Sequence, residues 1–212
     1  MLNDVVTIEK KHTNAAITLF DRVLRDRKSK FIVTISGEVG TGKCEIAHEL
    51  GRMLIEAGIS VKLLHMDNYY HIPPRERLEW RKKNGLEKIG YDEYDWLKIN
   101  QNIDDFRMEK KSIVPVVDLF TQNVDQLHTD FKGIEILIIE GLYSIRINQS
   151  DLRVFIELTY EDTWDEQKLT HKEILDDFRL EVLAHEHKAV QSLKGRADFY
   201  IDFDTANEIF HL

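Results

Sequence analysis

A chain of 212 residues is long enough to bury one sizeable core, and two full domains would be cramped within it. Its 38 acidic against 29 basic residues leave a formal net charge of −9, which argues against a protein whose main task is to grip nucleic acid or an anionic membrane. Any phosphate it binds must be held by a local site. One cysteine excludes an intrachain disulfide, and 42% hydrophobic residues with only 10 Gly and 3 Pro read as a folded globule. The opening residues MLNDVVTIEKKHTN carry neither the basic nor the apolar stretch of a signal peptide, and no apolar run approaches the ~18 residues of a membrane span. A reduced, cytoplasmic setting is the expectation.

In chain order, Ile17, Phe20, Val23 and Leu24 recur at three- and four-residue steps and predict an amphipathic helix within an N-terminal extension, residues 1–30. Residues 31–35 (FIVTI) form a β-branched strand that runs into the glycine-bearing segment 36–42. A second helical pattern follows through Ile46, Leu50, Met53, Leu54 and Ala57. Gly58 ends it, and residues 59–66 predict a strand delivering Asp67, Asn68, Tyr69 and Tyr70 at its C-terminal end.

Residues 71–96 hold Pro73-Pro74, alternating charge and two glycines, and read as a flap with one short helix whose charged run 75–83 is solvated. Asp95 is placed to cap a helix over residues 96 to about 108. Residues 113–117 make a strand in which Pro115 argues against a central position. IEILII at 134–139 is the most apolar strand, ending at Glu140-Gly141, and 154–158 is a fifth. A long helix to Leu193 and a last strand at 197–203 complete an alternation of strands and helices. That alternation predicts an α/β fold with a mainly parallel sheet covered on both faces, in a single domain spanning 1–212.

Gly37-Glu38-Val39-Gly40-Thr41-Gly42-Lys43 matches the first seven positions of the phosphate-loop motif G-x-x-x-x-G-K-[ST]. The glycines let backbone N–H groups converge on phosphate oxygens, Lys43 supplies charge, and the helix that starts here adds its N-terminal dipole. The strand before and the helix after are the context this mechanism needs. The eighth position is Cys44, where the motif places a hydroxyl on magnesium. Thiol sulfur is a soft ligand and magnesium a hard ion, so three readings stand: the ion is held through water and by other carboxylates, the enzyme is slow, or nucleotide is bound without turnover. Cys44 is also either a redox-sensitive thiol at a helix N-terminus or a small residue packed under the loop.

The order of five segments between residues 31 and about 203 resembles the uridine kinase and phosphoribulokinase group of P-loop small-molecule kinases. They are the phosphate loop; Asp67-Asn68-Tyr69-Tyr70; Gly90-Tyr91-Asp92-Glu93-Tyr94-Asp95-Trp96; Pro115-Val116-Val117-Asp118; and Ile138-Ile139-Glu140-Gly141-Leu142. The resemblance implies a three-layer, mononucleotide-kinase-like P-loop fold, ATP with Mg²⁺, and transfer of the γ-phosphoryl group to a hydroxyl of a small molecule. It implies residues 37–44 on the nucleotide, Lys43 on the β- and γ-phosphates, Asp67 as base, and Glu140 near the metal or substrate, with Asp67 and Glu140 reaching the ion through water. Tyr69, Tyr91, Asp92 and Glu93 fall in the family's substrate segments. A lid over about 162–180 is implied too; it offers Lys168, His171 and Lys172 but no arginine before Arg179, the expected lid arginine.

Two family positions that help hold a pyrimidine, a His and a Tyr, are Glu93 and Val117 here, so a sugar or another alcohol stands beside a nucleoside as acceptor. Tyr91, Tyr94 and Trp96 either stack on a ligand or pack locally. His185, Glu186 and His187 project to different faces of a helix and read as solvated. Cys44 has no Cys partner and no fixed His spacing for zinc. G-x-S-x-G and the guanine-reading N-K-x-D are both absent. The rival reading is a nucleotide binder on the kinase fold with little or no catalysis.

Overall fold

The computed structural model describes residues 1–170 and 176–203. Its centre is a five-stranded parallel sheet in the order β2-β5-β1-β6-β7, built from β1 (Phe31–Ser36), β2 (Val61–His65), β5 (Ile136–Glu140), β6 (Leu152–Ile156) and β7 (Phe199–Ile201). The fully buried runs FIVTIS and ILIIE sit side by side, Ile35 beside Glu140 and Thr34 beside Ile139. Strands covered on both faces have no reason to alternate polar and apolar residues, which is why these two stood out in the sequence.

Side chains of successive strand residues point to opposite faces, and each face has its own core. On one, Val33, Ile35, Ile136, Ile138 and Val154 meet Ala16, Leu19 and Val23 of α1 (Lys10–Asp26) and Ile46, Leu50 and Leu54 of α2 (Lys43–Glu56). On the other, Ile32, Leu137, Ile139 and Phe155 meet Ile99, Ile103 and Phe106 of α4 (Trp96–Arg107) and Val190 of α6 (Asp177–Gln191). Helix, sheet and helix make three layers. Among the described residues no helix is long and apolar enough to cross a membrane.

The N-terminal helix is therefore part of the core: of the four residues that suggested its apolar face, Val23 is buried and Phe20 packs against the core. Ile17 and Leu24 are exposed, while Ala16, Leu19 and Val23 are fully buried. Small residues let α1 lie close to α2, and close approach decides which face turns inward. Leu19→Ala should cost about 3 kcal/mol in a urea titration, as a buried leucine in a packed layer does; a loss under about 1 kcal/mol would show that α1 is only loosely attached.

The expected strand at 113–117 exists as β3 (Lys111–Val117), but it lies outside the main sheet. It pairs antiparallel with β4 (Val124–Asp130), a strand that escaped sequence reading because six of its seven residues are exposed. Asp118 donates its N–H to Asn123 on the β4 side, whereas Val117 donates to Asn68 Oδ1 on the other. Pro115 shares the outer side with Val117, so its missing N–H breaks no ladder bond. Between β2 and α4, the 71–96 segment carries α3 (Pro74–Asn84), and Asp95 caps α4 through the Lys98 N–H at 2.9 Å. The expected lid region contains α5 (Trp164–Thr170); His171, Lys172 and Leu175 lie outside the described residues.

Candidate active site

The C-terminal ends of β1, β2 and β5 open on one crevice. From β1 the phosphate loop turns with Gly40 and Gly42 at φ of 79° and 84°, left-handed conformations that glycine adopts without steric cost. Contact adds a second reason for glycine: a Cβ on Gly42 would lie 2.8 Å from His12 Nε2 of α1, and one on Gly40 would lie 2.8 Å from Thr163 Oγ1. Lys43 reaches back to donate to the Glu38 carbonyl at 2.5 Å, and Thr41 Oγ1 donates to the same oxygen at 2.9 Å. The loop is thus a closed turn with its lysine folded along it.

An acidic residue in a phosphate loop needs an explanation, and Glu38 has one. Its carboxylate is buried and accepts from the Tyr160 N–H (2.8 Å), Gln191 Nε2 (2.5 Å) and His187 Nδ1 (2.8 Å). Val39's carbonyl accepts from Thr163 Oγ1 at 3.0 Å. The loop is braced from beneath by α6 and by the segment ahead of α5. His187 is therefore a loop support rather than the solvated residue its helix position suggested. No local signal could reveal it, because His187 and Glu38 stand 149 positions apart.

From β2 and β5 come the carboxylates. Glu140 is buried and shares a 2.8 Å hydrogen bond with His65 Nδ1. Burial alone would raise its pKa, but that bond and the charges of His65 and Lys43 bring it below the ordinary glutamate value. Asp67 stands on the single 3-10 turn after β2, with its pKa raised by burial and by the Glu140 charge, against the opposing pull of Arg77, Lys43 and His65. The two carboxylates are thus shifted in opposite directions, Glu140 down and Asp67 up.

Cys44 opens α2 beside them. Its sulfur, a His65 nitrogen and a Glu140 oxygen all lie within 4.8 Å of one another. The thiol pKa is raised by burial and by the Glu140 charge. That direction is opposite to the lowering by the helix N-terminus on which the redox-sensitive reading relied. The histidine that sequence spacing could not assign to Cys44 is supplied by the neighbouring strand.

The residues expected on the substrate side are distributed differently from the sequence reading. Tyr69 is buried, with its hydroxyl donating to Asn102 Oδ1 of α4 at 2.8 Å, so it anchors the turn rather than lining the crevice. Tyr70 takes the nearer place: the Arg77 guanidinium lies 3.5 Å from its ring centroid and the Tyr94 hydroxyl donates to its own at 2.6 Å. Tyr91 donates to the Ala189 carbonyl at 2.9 Å and carries Arg146 over its ring, the Trp96 indole N–H donates to the Tyr91 carbonyl at 2.7 Å, and Tyr94 is buried. These aromatics pack locally. Asp92 stands on the turn between them.

Glu93 is the clearest displacement. Its carboxylate is buried and clamped by Arg81, Oε1 to Nε at 2.7 Å and Oε2 to Nη2 at 2.8 Å, and it also accepts the Gly90 N–H at 2.9 Å. Arg81 reaches on to Glu186 Oε1 at 3.2 Å, and Arg179 Nη1 lies 3.5 Å from Glu186 Oε2. Among the described residues, Arg81, Arg179, Glu93 and Glu186, from α3, the flap turn and α6, form one buried network of opposite charges. The sequence reads Arg81 and Glu186 as solvated, and Arg179 as either the lid arginine at the phosphates or a solvated partner of Asp176. Each sits in the interior because its partner does. Burial works against the Arg81 charge, but the Glu93 bonds and Glu186 raise its pKa. Lys168 of α5, by contrast, is exposed and pairs with Asp165 at 3.0 Å.

Known proteins resemble this chain in sequence and in fold. The chain is 31% identical over 137 residues to the uridine kinase of Ureaplasma urealyticum, a match covering 61% of this chain and 63% of that protein's length. A solved structure described as a possible uridine kinase from Bacillus stearothermophilus superposes with a TM-score of 0.63 at 20% identity, over 89% of this chain and 98% of the other. Phosphoribulokinase from Rhodobacter spheroides does so with a TM-score of 0.62 at 12% identity, over 84% and 74%. At those identities the structural likeness speaks for the three-layer P-loop fold. The phosphoribulokinase / uridine kinase family profile matches residues 32–172, two thirds of the chain and all of the phosphate loop, Asp67 and Glu140, and the protein belongs to that family.

Proposed function

We propose that the protein is a small-molecule kinase that moves the γ-phosphoryl group of ATP to a hydroxyl. What supports this reading is that Lys43 at the start of α2, Asp67 just after β2 and Glu140 at the end of β5 act electrostatically on one another beside the phosphate loop. The donor set fits the two absent partners. Two positive-φ glycines and a lysine suit a nucleotide phosphate chain, and two carboxylates suit magnesium, while the Cys44 sulfur does not.

In this reading residues 37–44 hold the phosphates and Lys43 neutralises charge on the β- and γ-oxygens. Asp67 accepts the proton of the attacking hydroxyl at its carboxylate, a task its raised pKa favours. Glu140, oriented by His65, and Asp67 would hold magnesium, which would supply neutralisation of phosphate charge when bound. Arg77, over Tyr70, lines the acceptor side.

For the acceptor, a sugar or another alcohol is favoured over a pyrimidine nucleoside. The position that would read the base from the 115–118 segment is Val117, which is buried, and Glu93 is already bound by Arg81. The test is ATP consumption with Mg²⁺ against a panel of nucleosides, sugars and other alcohols. Acceptor-dependent turnover names the substrate class, and tight ATP binding with no turnover on any of them refutes the kinase.

Cys44 favours the rival reading, nucleotide binding with weak or no catalysis, because the hydroxyl that the motif gives to magnesium is missing. Cys44→Ser restores it. For a kinase slowed by its thiol, turnover with Mg²⁺ should rise roughly tenfold, equivalent to ~1.4 kcal/mol. No turnover in the serine variant with any acceptor would favour the binder.

A further inference from the structure

The three side chains of the Cys44 cluster come from separate elements, the first turn of α2, the end of β2 and the end of β5, and each turns one ligand atom to a common point. The His65 and Glu140 side chains are only 11% and 9% exposed, and His65 Nδ1 and Glu140 share a 2.8 Å hydrogen bond that a bound ion would replace. Sulfur, imidazole and carboxylate together are the donor set of zinc, not of magnesium, which keeps to oxygen. From this juxtaposition we propose that Cys44, His65 and Glu140 form a binding site for a zinc-type divalent ion.

The geometry is close to what such an ion needs. Bonds of about 2.0–2.3 Å in a tetrahedron set ligand atoms roughly 3.3–3.8 Å apart, so atoms within 4.8 Å of one another close on the ion by moving about an ångström. Three protein ligands leave the fourth position to water or to a phosphate oxygen, the composition of an open site. Coordination breaks the Cys44 S–H bond and forms a sulfur–metal bond. The proton leaves to solvent and no oxidation state changes. Glu140 is the residue this site shares with the proposed magnesium site, but zinc binding stands apart from kinase activity and is measured without nucleotide.

The experiment titrates the full chain with Co²⁺, then with Zn²⁺ as competitor, in the absence of nucleotide. Cys44 is the only cysteine, so a thiolate-to-cobalt charge-transfer band can report only on its sulfur. The expected result is one equivalent of Co²⁺ with that band, displaced by Zn²⁺. The band should be lost in Cys44→Ser, and affinity should fall at least tenfold in both His65→Gln and Glu140→Gln, each checked for folding by circular dichroism. Absence of the band at millimolar Co²⁺, or unchanged affinity in either the His65 or the Glu140 variant, would overturn the site. A protein that turns over no acceptor can still pass this test, and an active kinase can fail it.

Discussion

Asp67→Asn should lower acceptor-dependent turnover by about 10²- to 10⁴-fold, the usual contribution of a positioned general base, while leaving ATP binding within a few-fold of the parent. The substitution keeps the shape of the side chain and removes its negative charge and with it its capacity to take a proton. The site makes that capacity matter: burial and Glu140 raise the Asp67 pKa, so the carboxylate is a better base than an exposed aspartate. Lys43 and Arg77 oppose the rise and keep the ionised form accessible. The check is a comparison of kcat for the two proteins with the acceptor identified in the panel, beside nucleotide affinity by calorimetry. An Asp67→Asn variant that retains more than a tenth of the parent turnover would remove Asp67 from the proposed mechanism.

Replacing Arg81 by Met should be the most destabilising single change in the flap, costing about 3–5 kcal/mol, because removing one partner of a buried ion pair leaves uncompensated charge in the interior. Glu93 would lose both of its bonds to Arg81, and Glu186 would lose its contact with Arg81. The same methionine combined with Glu93→Gln should recover part of the loss. A neutral amide needs no counter-charge and its oxygen can still accept the Gly90 N–H, now met by Glu93 at 2.9 Å. Urea midpoints at constant m-value measure both variants. A loss below about 1 kcal/mol for Arg81→Met, or no recovery in the double variant, would mean that the network is not the lock on the flap. Its position explains why that lock matters: the Tyr70–Tyr94 and Arg77–Tyr70 contacts beside Asp67 are carried on the same turns.

The strands of the main sheet, the phosphate loop and the two carboxylates at strand ends were legible in the sequence for local reasons. A doubly buried strand announces itself by an unbroken apolar run, a phosphate loop by glycines at fixed spacing between strand and helix, and a capped helix by Asp95. β3 was legible as a strand but not as part of a hairpin, since β4 presents an exposed, polar face that resembles loop. The inward stripe of α1 is legible at Phe20 and Val23, whereas Ala16 and Leu19 turn inward through the fit to α2.

What the chain determined by itself, then, was the class of fold and the chemistry it can host, because both follow from periodicity and from the identity of residues a few positions apart. What only the tertiary structure decided was which charges meet. Glu38 with His187, Glu93 with Arg81, Arg179 with Glu186, and Cys44 with His65 and Glu140 are groupings made by packing distant elements together. The energy of a charge depends on its partner and its burial far more than on its neighbours along the chain. A glutamate in a phosphate loop or a thiol at its eighth position therefore acquires a physical meaning only once the surrounding elements have closed around it.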